Sequence, residues 1–137
     1  MNIPPIYIVD DDIDDKEIVQ EVWEQMGLEN KLVFFSTGDE LISQLKQKEE
    51  TPFIIICDVN LPMVDGFEIR EKLYNDPETR YKTVPFIFWS NSASKEQIKK
   101  AYDLGAHGMF IKGASFDELK KSFTKIVDYW QSSLTPK

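Results

Sequence analysis

The fold is decided by residues 53–66, whose sequence is FIIICDVNLPMVDG. The first five residues form a continuous apolar run rich in β-branched side chains, which is typical of a strand buried on both faces of a parallel sheet. Asp58 follows this run directly, and a turn that ends in Asp65 and Gly66 follows Asp58. An apolar strand that leads straight into an isolated carboxylate and such a turn favours a functional role for Asp58 over that of an ordinary turn residue.

Two further apolar runs also end in charged side chains. The run IYIV precedes Asp10 and Asp11, and the run MFI precedes Lys112. In an open parallel sheet, ligands bind in the crevice beyond the carboxyl ends of the strands. Since each of these residues stands just past such an end, we predict that they converge there with Asp58. Three carboxylates and one ammonium suit a site for a divalent cation and a phosphoryl group.

Strands and helices are predicted to alternate along the whole chain. The predicted strands cover residues 6–9, 32–35, 53–57, 84–89 and 109–111. Apolar residues at helical spacing after each strand predict five helices, of which the first ends at Gly27 and the fourth at Gly105. Capping boxes that start at Ser94 and Ser115 mark the beginning of the last two helices. This alternation predicts the α/β class, with a doubly wound, five-stranded parallel sheet and five helices on its two faces.

Composition argues against several classes of protein. A net charge of −8, without clusters of Lys and Arg, argues against a nucleic-acid partner. No apolar stretch approaches the roughly 18 residues of a membrane span, and the N-terminus lacks a signal-peptide pattern, so we expect a cytoplasmic protein without a membrane partner. Cys57 lies inside an apolar run and has no partner cysteine in the chain, which excludes an internal disulfide and predicts a core residue.

Taken in order, these motifs resemble the receiver domains of two-component response regulators. The likeness covers nearly the whole chain, through the acidic pair Asp10 and Asp11, the segment 58–66, Ser90 and Lys112. It implies the flavodoxin-like, CheY-like receiver fold, in a single domain over residues 1–137 with no output domain. Features similar to the stand-alone regulators that accompany bacterial phytochromes are found at residues 60–62, 76–80 and 129–130.

The resemblance implies a role for each acidic residue of the site. Asp58 would accept a phosphoryl group, and Asp11 and Asp58 would bind Mg²⁺ or Mn²⁺ directly. Asp10 would bind the ion through a water molecule. The backbone carbonyl of Asn60 would complete the protein's share of the ligands, and such an all-oxygen set suits a hard ion that keeps some of its water.

Lys112 and Ser90 would act on the phosphoryl group itself. Lys112 would pair with Asp58 before transfer, holding that carboxylate ionised, and would neutralise a phosphoryl oxygen afterwards. Ser90 would donate a hydrogen bond to the new group, and the movement of its loop would change the surface formed by the fourth helix, the fifth strand and the fifth helix.

The function that this resemblance implies is signalling by a single-domain response regulator. The chain would catalyse only its own phosphorylation and dephosphorylation, so it would not be an enzyme in the usual sense. The implied partners are a sensor histidine kinase or a phosphotransfer protein, together with a downstream protein target. A homodimer through the last helix is a further expectation.

Three residues depart from the receiver pattern. Gly113 follows the lysine where the family usually has proline, Met109 stands where an aromatic residue often changes rotamer, and Asn91 replaces a small residue after Ser90. These departures leave a second hypothesis open, a constitutive protein-interaction module that kept the fold and lost the switch. The intact acidic pair and Asp58 favour the working receiver.

Other charged and aromatic residues have simpler interpretations. Asp12, Asp14 and Asp15 are predicted to cap the first helix and complement its dipole, without binding metal. His107 is predicted to be a loop residue that has no metal or catalytic partner. The aromatic pair 129–130 lies on the apolar stripe of the last helix, which favours packing in the core.

Two competing motifs fail on inspection of the sequence. An EF-hand loop that starts at Asp10 would need glycine at its sixth position, where Asp15 stands, and it would follow a helix instead of a strand. A haloacid-dehalogenase-type phosphatase motif has the wrong final residue, Asp14, and the chain offers no cap domain. A small Mg²⁺-dependent phosphohydrolase is therefore a remote alternative.

Overall fold

The computed structural model describes residues 3–47, 50–113 and 115–137, in which strands and helices alternate. The strands are β1 (Ile6–Val9), β2 (Leu32–Phe35), β3 (Ile54–Asp58), β4 (Phe86–Ser90) and β5 (Met109–Ile111). The helices are α1 (Ile13–Met26), α2 (Gly38–Gln47), α3 (Gly66–Asn75), α4 (Lys95–Asp103) and α5 (Phe116–Ser132). The predicted order of elements is confirmed, and each strand begins and ends within two residues of the predicted position.

The strands form one parallel sheet in the order β2-β1-β3-β4-β5. The chain runs from β1 outward to β2 and then returns past β1 to β3, so the direction of winding reverses between β1 and β3. In this arrangement Val9 lies opposite Cys57, and Asp58 lies opposite Trp89. The predicted doubly wound sheet is therefore confirmed. A crevice is expected where the carboxyl ends of β1 and β3 meet.

Alternate side chains of the sheet enter two separate apolar layers. In β1, Tyr7 belongs to the layer that packs against α2 and α3, whereas Ile8 belongs to the layer that packs against α1 and α5. Full burial of side chains of this size stabilises the fold by about 1.5–3 kcal/mol each. Because both faces of the sheet are anchored in this way, the loops at the carboxyl ends of the strands rest on a rigid base.

Four of the residues predicted to cap helices do so: Asp12, Gly27, Ser94 and Ser115. Asp12 accepts hydrogen bonds from the backbone N–H groups at the start of α1, and Gly27 ends that helix with a φ of 64°. Ser94 and Gln97 form both hydrogen bonds of a capping box at the start of α4. Ser115 accepts a hydrogen bond from a backbone N–H in the first turn of α5. Each bond satisfies a donor that the helix itself leaves unpaired.

Residues near the end of α5 divide between core and surface. Trp130 packs partly against the layer beneath α1 and α5, as predicted, but Tyr129 is 65% exposed, so the prediction of core packing is wrong for Tyr129. His107 lies in the loop before β5, as predicted, and its Nδ1 accepts a hydrogen bond from the backbone N–H of Phe86 at 2.9 Å. Within the described residues, no helix combines the length and the apolar character needed to cross a bilayer.

Met63 occupies a backbone conformation that disfavours its own side chain. Its φ is 65° and it is 84% exposed. A left-handed conformation costs a residue with a Cβ roughly 1–2 kcal/mol, and Asn tolerates it better than most residues. We expect Met63→Asn to raise the free energy of unfolding by about 0.5–1 kcal/mol, measured by urea denaturation. Met63→Ala removes the same exposed side chain but lacks the polar group through which Asn tolerates this conformation, so equal stability of the two variants would contradict the prediction.

Candidate functional site

The carboxyl ends of three strands bring an ammonium group to two carboxylates. Asp58 is the last residue of β3, Asp10 directly follows β1, and Lys112 directly follows β5. Lys112 Nζ lies 3.0 Å from Asp58 Oδ2 and 3.0 Å from Asp10 Oδ2. All three side chains are largely buried. The convergence inferred from the sequence is therefore present in the structure.

A third carboxylate completes the acidic cluster. One oxygen from each of Asp10, Asp11 and Asp58 lies within 4.8 Å of the others, and Asp11 is the exposed member. The two buried carboxylates are oriented by the backbone, since the N–H of Asp12 donates to Asp10 Oδ1 at 2.9 Å and the N–H of Asn60 donates to Asp58 Oδ1 at 3.0 Å. Their remaining oxygens face the lysine ammonium.

The donors of this cluster fit a hard divalent cation. All are carboxylate oxygens, the ligand type that Mg²⁺ and Mn²⁺ accept. Asp10 Oδ2 is buried and has an ion-pair contact with Lys112 but no partner with hydrogen-bond geometry among the described residues. A buried oxygen left in this way is available to an ion or to a water bound to one.

Burial and charge pull the pKa values of the site in opposite directions. Burial raises the pKa of Asp10 to about 7, and the hydrogen bond from the N–H of Asp12 and the nearby ammonium of Lys112 only partly counteract it. Burial likewise raises the pKa of Asp58, although Lys112 lowers it, so the lysine alone does not offset the burial. Burial lowers the pKa of Lys112, but its bonds to Asp15, Asp58 and Asp10 outweigh this and raise it above the ordinary value. A second cation would therefore be stabilised here.

Lys112 has two contacts that the sequence did not predict. Asp15 Oδ2 lies 2.7 Å from its Nζ, closer than either carboxylate of the pair described above. Lys112 Nζ also lies 4.7 Å from the centre of the Trp89 ring, which is a cation–π distance. Asp15 was predicted to complement the dipole of α1. The only sign in the sequence of its contact with Lys112 was its position in the first turn of α1, the helix that follows β1. Asp15 is outside the cluster of candidate metal ligands.

Ser90 stands at the carboxyl end of β4 but its hydroxyl is engaged elsewhere. The residue is fully buried, and its Oγ donates to the carbonyl of Ser92 at 2.8 Å. Its own carbonyl accepts a hydrogen bond from the backbone N–H of Lys112 at 2.7 Å. Ser90 is thus tied to the lysine through the backbone, and its predicted bond to a phosphoryl group would require the hydroxyl to leave Ser92.

The loop after β3 folds back against the strand. Asp65 caps α3 by accepting a hydrogen bond from the N–H of Glu68 at 2.9 Å, which agrees with its predicted structural role. The N–H of Gly66 donates to the carbonyl of Val59 at 2.9 Å. A Cβ at Gly66 would lie 2.4 Å from the carbonyl oxygen of Asp58, so only glycine fits at this close approach.

Comparison with known proteins agrees with this geometry. The response regulator receiver domain family matches residues 6–124. The chain belongs to this family. Among its relatives, the response regulator Rcp1 of Synechocystis sp. is 26% identical over 139 residues, which cover 96% of this chain and 93% of Rcp1.

Solved structures of receiver domains share the fold over nearly the full length. The phosphorylated cyanobacterial phytochrome response regulator RcpA superposes with a TM-score of 0.87 at 25% identity, over 99% of this chain and 100% of RcpA. The Mn²⁺-bound form of Rcp1 gives a TM-score of 0.84 at 23% identity, over 98% of this chain and 100% of Rcp1. The predicted resemblance to phytochrome-associated regulators is therefore confirmed.

The structure shows what surrounds each of the three residues that depart from the receiver pattern. Gly113 lies against the first turn of α5, where a Cβ would come within 2.6 Å of the Cβ of Glu118. Met109 is partly buried against the apolar layer under α2 and α3. Asn91 is exposed and, with Lys112 and Gly113, lines a surface cleft of about 620 Å³. The cleft reaches the lysine between the end of β5 and α5.

Proposed function

We propose that this receiver domain accepts a phosphoryl group on Asp58 from the phosphohistidine of a sensor histidine kinase or a phosphotransfer protein. The observation that carries the proposal is the contact of 3.0 Å between Asp58 and Lys112, beside the acidic pair Asp10 and Asp11. Such a site combines a nucleophile, a fixed positive charge and the oxygen ligands of a divalent ion, which are the parts that phosphoryl transfer requires.

The transfer would proceed by attack of a carboxylate oxygen of Asp58 on phosphorus. The bond between phosphorus and the histidine nitrogen breaks, its electron pair stays on that nitrogen, and solvent supplies the proton that the imidazole takes up. Lys112 would move from the carboxylate to a phosphoryl oxygen and neutralise its charge.

The residues of the acidic cluster would hold the divalent ion during this step. Asp11 and Asp58 would bind Mg²⁺ or Mn²⁺ directly, Asp10 would bind it through a water, and the carbonyl of Asn60 would add one more oxygen. The ion supplies the positive charge that lets a carboxylate approach an anionic phosphoryl group. The relative Rcp1 has been solved in a Mn²⁺-bound form, which supports this part of the proposal.

The proposed signal begins at Ser90. Its hydroxyl would exchange the carbonyl of Ser92, 2.8 Å away, for an oxygen of the new phosphoryl group. The exchange would draw the loop after β4 toward the site and change the surface of α4, β5 and α5. Among the described residues of α4, only the small residue Ala101 is buried, which favours such a shift.

The proposed role is that of a single-domain regulator with protein partners. The chain covers 93% of the length of Rcp1, a response regulator to which it is similar. It would change only its own phosphorylation state, and a kinase of the phytochrome class is the donor that its relatives suggest.

A homodimer through α5 is part of the same proposal. Tyr129 is 65% exposed, and beside Trp130 it borders a largely apolar cleft of about 420 Å³ between β5 and α5. Sedimentation of the protein over a range of concentrations tests this, and a monomer at every concentration would contradict it.

The phosphoacceptor can be identified by intact mass spectrometry. After incubation with Mg²⁺ and a small acyl phosphate, we expect a phosphate-sized mass gain that requires Mg²⁺ and is absent in Asp58→Ala. Asp65→Ala removes a carboxylate from the same loop and serves as the matched control, which should still gain mass.

The alternative of a constitutive interaction module predicts a different result. That module would show no mass gain with the acyl phosphate or with a phosphorylated histidine kinase, and it would not bind beryllofluoride at Asp58. A gain that persists in Asp58→Ala would place the acceptor elsewhere and reject the proposed chemistry.

A further inference from the structure

Asp15 contacts the ammonium of the site without being a candidate metal ligand. Its Oδ2 lies 2.7 Å from Lys112 Nζ, whereas Asp10 and Asp58 lie at 3.0 Å. The Asp15 side chain is 24% exposed and that of Lys112 is 7% exposed, so the contact is only partly screened by water. The neighbouring Lys16 is directed away, since its Nζ donates to Ser36 Oγ at 3.0 Å.

We propose that Asp15 is a positioning residue that holds Lys112 when the other carboxylates turn to a divalent cation. The inference rests on the proposed phosphoacceptor function and adds to it a residue that tunes the affinity for both ligands of the site. Asp15 would act through Lys112, without touching the cation or the phosphoryl group.

The first consequence concerns the cation. Before metal binds, Lys112 is shared among three carboxylates, and two of them, Asp10 and Asp58, are candidate ligands. When the cation arrives, the oxygens of these two must turn from the ammonium to the ion. Asp15 gives the ammonium a partner that the ion does not use, so the rearrangement leaves no unpaired buried charge. Asp15 should therefore strengthen cation binding.

The second consequence has the opposite sign. A phosphoryl donor is an anion, and Lys112 is the cation that would receive its oxygen. Asp15 adds a negative charge beside that position and takes up one of the three donors of the ammonium. Asp15 should therefore weaken the binding of the donor. A carboxylate that aids the cation and opposes the anion sets the relative affinity of the site for its two ligands.

The test compares Asp15→Asn with the unmodified protein for both ligands. Mg²⁺ affinity is measured by titration followed by tryptophan fluorescence, because the Trp89 ring lies 4.7 Å from Lys112 Nζ. The initial rate of phosphorylation is then measured against acyl phosphate concentration at saturating Mg²⁺. We expect the dissociation constant for Mg²⁺ to rise about fivefold and the KM for the donor to fall about threefold.

Three further variants separate this role from loss of charge or of structure. Asp14→Asn removes the same charge from the same turn of α1, and it should change each constant less than twofold. Asp15→Glu keeps a carboxylate and should recover most of the Mg²⁺ affinity. In a Lys112→Met background, Asp15→Asn should change the two constants no more than Asp14→Asn does, because its partner is gone. A double-mutant cycle measures this coupling between Asp15 and Lys112.

Each outcome decides between defined alternatives. Equal effects of Asp15→Asn and Asp14→Asn would overturn the proposal, and so would weaker binding of both ligands, which would indicate a loosened site. If the unmodified protein binds Mg²⁺ but is phosphorylated by neither the acyl phosphate nor a phosphorylated histidine kinase, the proposed function fails, whereas the Mg²⁺ measurements still decide the role of Asp15.

Discussion

Lys112→Met is expected to slow phosphorylation by an acyl phosphate about 100-fold at saturating Mg²⁺. In the part of the chain that the structure describes, Lys112 is the cation in contact with Asp58, and its ammonium is held by three carboxylates. Methionine keeps the length of the side chain and removes the charge that would meet a phosphoryl oxygen. The initial rate, followed by intact mass, measures the effect directly.

The same variant should lose stability in a way that depends on pH. At pH 8 without Mg²⁺, Lys112→Met leaves Asp10 and Asp58 buried and charged without their counter-ion, and we expect the free energy of unfolding to fall by about 2 kcal/mol. Burial already raises the pKa of Asp10 from 3.8 to about 7, so in the unmodified protein its penalty grows between these two values and stays level above about 7. Loss of Lys112 raises this pKa further, so the deficit of the variant is small below about 7 and grows above it. The deficit should therefore shrink at pH 5, and Mg²⁺ should reduce it at pH 8.

Lys121→Met provides the control for this prediction. It removes the same charge from an exposed lysine on α5, and both the rate and the stability should stay close to those of the unmodified protein. A Lys112→Met protein that is phosphorylated at the normal rate would show that the ammonium has no part in the transfer. A deficit that is equal at pH 5 and pH 8 would show that packing, and not charge, is the cause.

The positions of Asp10, Asp58 and Lys112 could be predicted because they depend on the backbone alone. Each follows an apolar strand, and the carboxyl ends of parallel strands meet at one edge of the sheet. For the same reason the order of strands and helices followed from the alternation of apolar patterns.

The contacts of Asp15, Trp89 and Tyr129 depend on side-chain directions that no local pattern encodes. Asp15 and Lys112 are 97 residues apart in sequence, and their contact requires α1 and the end of β5 to be placed correctly together. Trp89 was predicted only as part of a strand, although its ring lies under the ammonium. Tyr129 shares the apolar stripe of α5 by composition, yet the helix turns it to the surface.

Gly66→Ala is expected to destabilise the protein by about 3 kcal/mol and to abolish measurable phosphorylation. The new Cβ would lie 2.4 Å from the carbonyl oxygen of Asp58, 3.0 Å from Val59 Cα and 3.2 Å from the carbonyl carbon of Asp58. These are backbone atoms at the end of β3, between β1 and β4, and they cannot turn aside as a side chain could. Urea denaturation measures the loss of stability, and intact mass measures phosphorylation.

Gly108→Ala is the matched control, because the contacts of its added methyl are with side chains. The nearest is Phe110 Cε2 at 3.2 Å, followed by Ile87 Cγ2 at 3.8 Å and Ile87 Cγ1 at 3.9 Å. A ring can rotate by the few tenths of an ångström required, so the loss of stability should be about 1 kcal/mol and phosphorylation should persist. If Gly66→Ala were phosphorylated normally, the end of β3 would have to move without moving the Asp58 carboxylate. The position of the proposed nucleophile would then not depend on the close approach of the loop.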